Sequence, residues 1–429
     1  MTIRSKELDF EQGGDSSSNA RVTELKTLSK LTSLHIHIKA LLTDMPFQKL
    51  TNFAIGIGKS MAYNSCPSSR TLSLSDSRTP QVDWFKNLLK KTENLYLCRI
   101  QELEVVFPDF DDVGINKLKS LTLAECEEIM YLLKTSEQTP DDVVFPNLEQ
   151  LSLFGNPKLV AICKGELPDK SWSKVKAKDV KACHSMSSIV TSHLLLRLQS
   201  LERFQAVNCE KVVYAFDLEG LVIAKEETNK FLPMLQILEL TMLTKMEQKL
   251  EEIFGKEETA DIQEAQALAS PILGKLRFIL TKSCTQLKTL FAPSIIESLV
   301  QLRTLKVQSC TTMKEVIADE EGEGAAKKKR VVFPNLYEIH LEKLDSLICF
   351  CPVMYTTLEF PALEILRIDE CPKMKMFGYG DQITPKLKEV LQGTKAEKLR
   401  FGSLYLTVQQ LFKEEQQELV RGSFFASKP

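Results

Sequence analysis

Residues 302–316 read LRTLKVQSCTTMKEV, placing Leu302, Leu305, Val307, Cys310, Met313 and Val316 at offsets 0, 3, 5, 8, 11 and 14. LEILRIDECPKMKMF repeats that spacing with Leu363, Leu366, Ile368, Cys371, Met374 and Phe377. LKSLTLAECEEI does so with Leu118, Leu121, Leu123, Cys126 and Ile129, and LEQLSLFGNPKLVAI carries Asn156 where the others carry Cys. The residues at offsets 3 and 5 alternate with variable neighbours, which reads as a short strand with one apolar face. A single strand cannot bury that face, whereas a stack of them makes a continuous apolar interior.

The shared template, LxxLxLxx(C/N)xxL, is the leucine-rich repeat. Sliding it along the chain finds thirteen first positions: Leu31, Leu50, Ser69, Thr92, Leu118, Leu148, Val175, Leu201, Leu235, Leu276, Leu302, Leu336 and Leu363. They lie on average about 28 residues apart. The units at Ser69, Thr92 and Val175 match worst, and the last puts Lys178 in an apolar slot. The expected fold is α/β: one leucine-rich-repeat solenoid, with a curved parallel β-sheet on its concave face and irregular loops and short helices on its convex face. The expected layout is a flexible lead-in over 1–24, about 13 repeats over 25–385, and a C-terminal capping segment with a helix over 386–429. Thr407 and Gln410 have capping-box spacing, and Val408, Leu411, Phe412 and Leu419 form a helical stripe. With no comparable cap ahead of Leu31, the chain reads as the C-terminal part of something longer or as a truncated relative of it.

Column by column, the template assigns roles. Offset 8 marks the exit from the strand, where Asn can bond the turning backbone and Cys fills a tight spot as a weak donor. Cys126, Cys183, Cys209, Cys284, Cys310 and Cys371 all stand there, accounting for six of the eleven thiols without catalysis. FPNL recurs at Phe145–Leu148 and Phe333–Leu336, with FPAL at Phe360–Leu363 and FLPML at Phe231–Leu235. Proline suits the loop ahead of a strand, and the Phe is expected to plug the interior. The insertions SEQTPDD, EEIFGKEETADIQEAQ and DEEGEGAAKKKR read as exposed convex loops or helix.

Composition removes several classes. With 55 Lys+Arg against 57 Asp+Glu and a formal charge of −2, the chain lacks the basic excess of a nucleic-acid binder. Eleven cysteines, only Cys349 and Cys351 close in sequence, form neither a disulfide framework nor a CxxC zinc pattern. The N-terminus has no apolar core for a signal peptide, no apolar run nears the roughly 18 residues of a membrane span, and there is no N-x-[ST] sequon. An intracellular, cytoplasmic chain with no integral membrane segment is the expectation.

Local motifs offer little chemistry. AIGIGKS at Ala54–Ser60 ends like a phosphate-binding loop, but that signature needs Gly where Phe53 stands, so no nucleotide binding is expected. His35 and His37 share a strand face without a third ligand at a recognisable interval. His184, His193 and His340 accompany no nucleophile motif. Lys327, Lys328, Lys329 and Arg330 are balanced by Asp319, Glu320, Glu321 and Glu323, a solvated loop. No catalytic residue, cofactor or metal is expected, and the chain is not read as an enzyme.

The repeat with Cys at offset 8, the FPNL segments, the opening ARVTELKTLSKLTSLHIHI and the closing LYLTVQQLF together carry a resemblance. Over roughly residues 20–415 the chain resembles the C-terminal leucine-rich-repeat region of plant nucleotide-binding leucine-rich-repeat disease-resistance proteins, nearest to the coiled-coil type. It contains neither the phosphate-binding loop of the switch module nor the signalling coiled coil of such proteins. The resemblance implies a non-enzymatic module of plant defence that senses a pathogen effector or a modified host protein and regulates a nucleotide-binding switch. The other reading is a leucine-rich-repeat adaptor, such as the substrate receptor of a ubiquitin ligase, on the same face.

Between the two apolar slots of each strand, one residue points outward: His35, Tyr96, Thr122, Ser152, Gln205, Glu239, Leu280, Lys306, His340 and Arg367. Adjacent turns lie about 4.8 Å apart, so these side chains make one rigid surface suited to a protein ligand. The charges of Glu239, Lys306, His340, Glu342, Arg367 and Asp369 vary in sign along the C-terminal turns, with Phe278 and Tyr337 as aromatic anchors. The expected binding face therefore spans about residues 235–370, toward a pathogen effector, a guarded host protein or a switch module, with no nucleic acid.

Overall fold

The computed structural model describes residues 2–4, 30–38, 45, 47–58, 70–78, 82–107, 115–134, 144–165, 167, 170–217, 232–247, 273–291, 293–318, 330–352, 356–393, 395–399 and 402–426. The chain divides into two compact units, Met1–Met186 and Ser187–Pro429.

In the first unit the strands are β1 (Thr2–Arg4), β2 (Ser33–Ile38), β3 (Asn52–Ile57), β4 (Thr71–Ser75), β5 (Asn94–Cys98) and β6 (Val105–Phe107). They continue with β7 (Ser120–Ala124), β8 (Tyr131–Lys134), β9 (Gln150–Phe154), β10 (Ala161–Lys164) and β11 (Ala177–Lys181); a short helix, α1 (Asp83–Leu89), follows β4. Strands β1-β2-β3-β4-β5-β7-β9-β11 pair in parallel in that order, and β10-β8-β6 form a second small parallel sheet. The repeat explains the register: Leu95, Leu121 and Leu151 stand opposite one another, as do Leu97, Leu123 and Leu153, all essentially without exposure. Within the stretch expected as a flexible lead-in, Thr2–Arg4 instead forms a strand against Ser33–His35.

The second unit contains β12 (Ser188–Val190), β13 (Arg203–Val207), β14 (Tyr214–Phe216), β15 (Ile237–Thr241), β16 (Phe278–Lys282), β17 (Thr304–Gln308) and β18 (Arg330–Val332). After these come β19 (Glu338–Glu342), β20 (Thr357–Glu359), β21 (Ile365–Asp369), β22 (Gln382–Ile383), β23 (Glu389–Gln392) and β24 (Lys395–Lys398). Its described α-helices are α2 (Ser192–Leu195), α3 (Pro293–Ile296) and α4 (Leu404–Ala426). Strands β13-β15-β16-β17-β19-β21-β23 make a parallel ladder, finished by β24 pairing antiparallel to β23. Small sheets β12-β14 and β18-β20-β22 flank it. Leu238, Ile279, Leu305, Ile339 and Leu366 form one inward row, with Leu240, Thr281, Val307, Leu341 and Ile368 beside it.

Most strands of the two parallel ladders leave through one stereotyped turn. Asp76, Arg99, Glu125, Ala182, Asn208, Met242, Ser283, Ser309, Lys343 and Glu370 all occupy offset 7 and all adopt left-handed backbone, with φ between 50 and 55°; Gly155 does so at 61°. That conformation costs a non-glycine residue about 1 kcal/mol. Its compensation is a hydrogen bond from the turning N–H to the end of the next strand, as from Glu125 to Phe154 O and Ser309 to Glu342 O, both 2.8 Å.

At offset 8, Asn156 is fully buried; its Oδ1 accepts from Cys126 N–H at 3.0 Å and its Nδ2 donates to Leu123 O at 3.1 Å. Cysteine does a weaker version: the Cys371 thiol donates to Asp369 O at 3.3 Å, with Leu341 O at 3.7 Å. All ten described cysteines are buried and unbridged, and burial pushes the Cys126 thiol up to about 11, which makes it a packing residue rather than a nucleophile. Asn156→Ala should lower stability by about 1–3 kcal/mol, because it leaves a buried N–H and C=O without partners. Urea unfolding checks this, and an unchanged midpoint would mean the bridge contributes nothing.

The plug column holds as expected at Phe145, Phe333 and Phe360, all buried. In FLPML the plug is Leu232, 1% exposed, because the turn counts three residues back from Leu235; Phe231 lies outside the described residues. Phe333 and Phe360 stack at 5.3 Å and Phe350 and Phe377 at 4.7 Å, giving the C-terminal turns an aromatic core.

Two further readings, of the row that contains His35 and of the start of α4, are corrected, and a third, of Lys178, holds. First, β2 and β3 each have three inward residues, and β3 slips by two against β4, so that Ile55 faces Leu72. A slip of two preserves the faces. Gly58 permits it: it sits at φ +112°, and a Cβ there would come within 1.8 Å of Ser75 O, so the glycine of the phosphate-loop look-alike serves this turn. The row through Tyr96 and Thr122 therefore contains His37 rather than His35, and Thr122 itself is only 5% exposed. Second, Lys178 occupies its inward slot after all, opposite Leu151 and with no exposure. Third, α4 starts at Leu404, not at Thr407. Ser403 Oγ accepts from Leu406 N–H, and Thr407 lies inside the helix with its hydroxyl donating to Ser403 O at 2.7 Å. Leu404, Val408 and Leu411 are buried, and Gln416 Nε2 donates to Pro372 O at 2.9 Å; nothing is described of the Leu419 side chain.

The convex insertions 136–142 and 251–266 and the charged run 319–329 lie outside the described residues. Arg330, the end of that run, begins β18 and grips Glu359, Nη2 to Oε2 at 2.6 Å.

Candidate functional site

The eight residues proposed for binding all fall in the second unit and on its outward sheet face or rim. Successive strands align Gln205, Glu239, Leu280, Lys306, His340 and Arg367 in a middle row. One side of it is Arg203, Ile237, Phe278, Thr304, Glu338 and Ile365; the other is Val207, Thr241, Lys282, Gln308, Glu342 and Asp369. Tyr337, 42% exposed, stands just ahead of β19, its N–H bonded to Arg303 O. Phe278 is half-buried.

The charges are arranged as a network. His340 Nε2 donates to Glu338 Oε1 at 2.9 Å, and Lys306 Nζ approaches the same oxygen at 3.4 Å. Partial burial, with help from Lys306 and Arg367 in the turns on either side, holds the His340 pKa below its ordinary value despite Glu338, so the imidazole is neutral and its Nε2–H donates. Gln308 donates to Glu342 at 2.9 Å, Gln205 to Glu239 at 2.6 Å, and Arg367 Nη1 lies 3.5 Å from Asp369 and 3.0 Å from Gly393 O. Glu338, the acceptor joining Lys306 and His340, was missed by sequence reasoning, as were Arg277, Lys282 and Arg303 along the rim. The same repeat offsets point to them: Glu338 and Lys282 lie two positions to either side of the middle row, and Arg277 and Arg303 three positions ahead of it.

The first unit presents a different face. There Gly56, Ser73, Tyr96, Thr122, Ser152 and Asp179 form the corresponding row, mostly small and polar. Its charges sit at the strand ends, where Arg99 holds Asp76 (Nε to Oδ1, 2.6 Å) and Glu125 (2.8 Å), and Glu93 holds Arg70 and Lys119. Among the described residues no three His, Cys, Asp or Glu side chains converge as a metal site, and no helix is long and apolar enough to cross a membrane.

A multi-strand surface of mixed charge suits recognition of a macromolecular surface. No curated protein matches the chain. Residues 147–270 and 248–377 match the family model for plant disease resistance protein RPS2-like leucine-rich repeats, together covering more than half of the 429 residues. The stacked repeats with their offset-8 turns and the family match agree, and the chain belongs to the RPS2-like family of plant disease-resistance leucine-rich repeats.

Proposed function

We propose that the chain is a non-enzymatic recognition module of plant defence, acting in the cytoplasm. It binds a protein, either a pathogen effector, a modified host protein or a nucleotide-binding switch module, through the outward face of about residues 235–370. In this reading the repeats over 25–385 are the binding array and 386–429 its cap. The observation that carries the reading is the outward network of Glu239, Lys306, His340, Glu342, Arg367 and Asp369, flanked by Phe278 and Tyr337, where the corresponding middle row of the first unit, among its described residues, is mostly small and polar.

Lys306→Glu together with Arg367→Glu tests it. Both side chains are partly exposed and their pairs are surface pairs, so stability should change by less than about 1 kcal/mol. Binding to a protein partner isolated from challenged plant tissue should weaken at least about tenfold, since reversing two charges on a complementary face alters both encounter and fit. Equal affinity of a folded double variant would remove the face from the function.

A further inference from the structure

The outward face of the second unit has its acids engaged and several of its cations not. Glu239, Glu338, Glu342 and Asp369 each accept from a neighbour on the same face or from the β23–β24 turn. Arg277 and Arg303, just ahead of β16 and β17, and Lys282, ending β16, are exposed, and among the described residues no carboxylate pairs with them. Arg277 and Arg303 occupy the same offset in adjacent turns, tied by the bond from Arg303 N–H to Arg277 O at 2.9 Å. Between the arginines and Lys282 lie the half-buried outward residues Phe278 and Leu280, with Ile237 opposite Phe278 on β15. The result is an apolar strip bounded at both ends by unpaired positive charge.

We propose that this strip takes an acidic segment of a protein partner, its carboxylates on Arg277, Arg303 and Lys282 and an apolar side chain against Phe278 and Leu280. The proposal rests on the reading of this face as protein-binding and names the chemistry that it recognises. Two arginines whose backbones lie about one strand spacing apart suit carboxylates, which guanidiniums engage bidentately. Lys306 beside them is already shared with Glu338, and Glu338, Glu342 and Asp369 follow on β19 and β21, so the positive strip is short. A polyphosphate chain would run from it onto these acids, whereas a peptide with a few carboxylates would not.

Fluorescence polarisation on the full chain tests this with a short labelled peptide of Asp and Glu around one Phe and one Leu. The comparison ligands are its Asn/Gln counterpart and a single-stranded oligonucleotide. The expected result is salt-sensitive binding of the acidic peptide, at least about tenfold tighter than of the neutral one, and lost to a similar degree in Arg277→Glu/Arg303→Glu. Lys134→Glu, an exposed change on β8 of the first unit, should leave it intact. Absent binding, equal binding of the neutral peptide, indifference to the arginine reversals, or tighter binding of the oligonucleotide would each overturn the proposal. The two readings separate cleanly: a natural partner lost in Lys306→Glu/Arg367→Glu but not in Arg277→Glu/Arg303→Glu keeps the protein-binding face and removes the acidic strip.

Discussion

Leu305→Asp is expected to lower stability by several kcal/mol, enough to unfold much of the second unit at room temperature. Leu305 has no exposure and stands in register between Ile279 and Ile339, so a carboxylate there meets apolar side chains from the turns on both sides. An unpaired charge in a dry interior costs far more than the methyl groups it replaces. Because each turn owes its stability to its neighbours, the damage should spread along the ladder rather than stay in β17. A typical domain has only about 5–15 kcal/mol in reserve. Urea unfolding followed by circular dichroism reads the effect; an unchanged midpoint would contradict the buried register. Leu305→Ala should fall in between, at about 2–5 kcal/mol.

Lys178→Met is expected to move stability the other way, upward by about 1–4 kcal/mol near neutral pH. Lys178 lies wholly inside the first unit, and burial drives its pKa well below the ordinary lysine value. Between that lowered pKa and the unfolded value of about 10.4, the unfolded chain binds more protons than the folded one, so wild-type stability rises with pH across the window. The cost is largest below the folded pKa and vanishes above the unfolded one. Methionine keeps the length of the side chain and removes the charge, so its advantage should shrink as pH climbs toward about 10. Unfolding midpoints of both proteins at several pH values between neutrality and that limit check it. A less stable variant, or an advantage that does not change with pH, would contradict the account.

These two residues also show what periodicity can and cannot reveal. Leu305 is legible because offsets 3 and 5 repeat with few exceptions, and an apolar residue there has one place to go. Lys178 breaks the hydrophobic pattern, but Val175, Val180 and Cys183 around it keep the spacing, and the neighbouring strand imposes the slot regardless of what fills it. His35 was placed one row away from its true position because β2 and β3 offer three inward residues where the template counts two, and only Gly58 against Ser75 decides the slip. Leu232 fills the plug column of FLPML for a similar reason: a turn counts residues from the strand, not from the most aromatic neighbour.

The outward face was legible as a set of positions and much less so as a set of interactions. Repeat offsets bring Glu239, Lys306, His340 and Arg367 into one row from sequence alone, and the ladder has them there. Which charges neutralise one another depends on the rotamers of long side chains reaching between rows. The variation of sign along the C-terminal turns therefore did not reveal that Glu338 would engage both Lys306 and His340, or that Arg277 and Arg303 would be left over.

The most direct test of recognition by this face is side-chain oxidative footprinting of the chain with and without its bound protein partner. Phe278, Tyr337 and His340 line the face, whereas Tyr214 and Tyr379, 46% and 50% exposed, lie on β14 and just ahead of β22, away from it. The account predicts that Phe278, Tyr337 and His340 are protected in the complex while Tyr214 and Tyr379 react as before. Protection of Tyr214 or Tyr379 with Phe278, Tyr337 and His340 unchanged would contradict it.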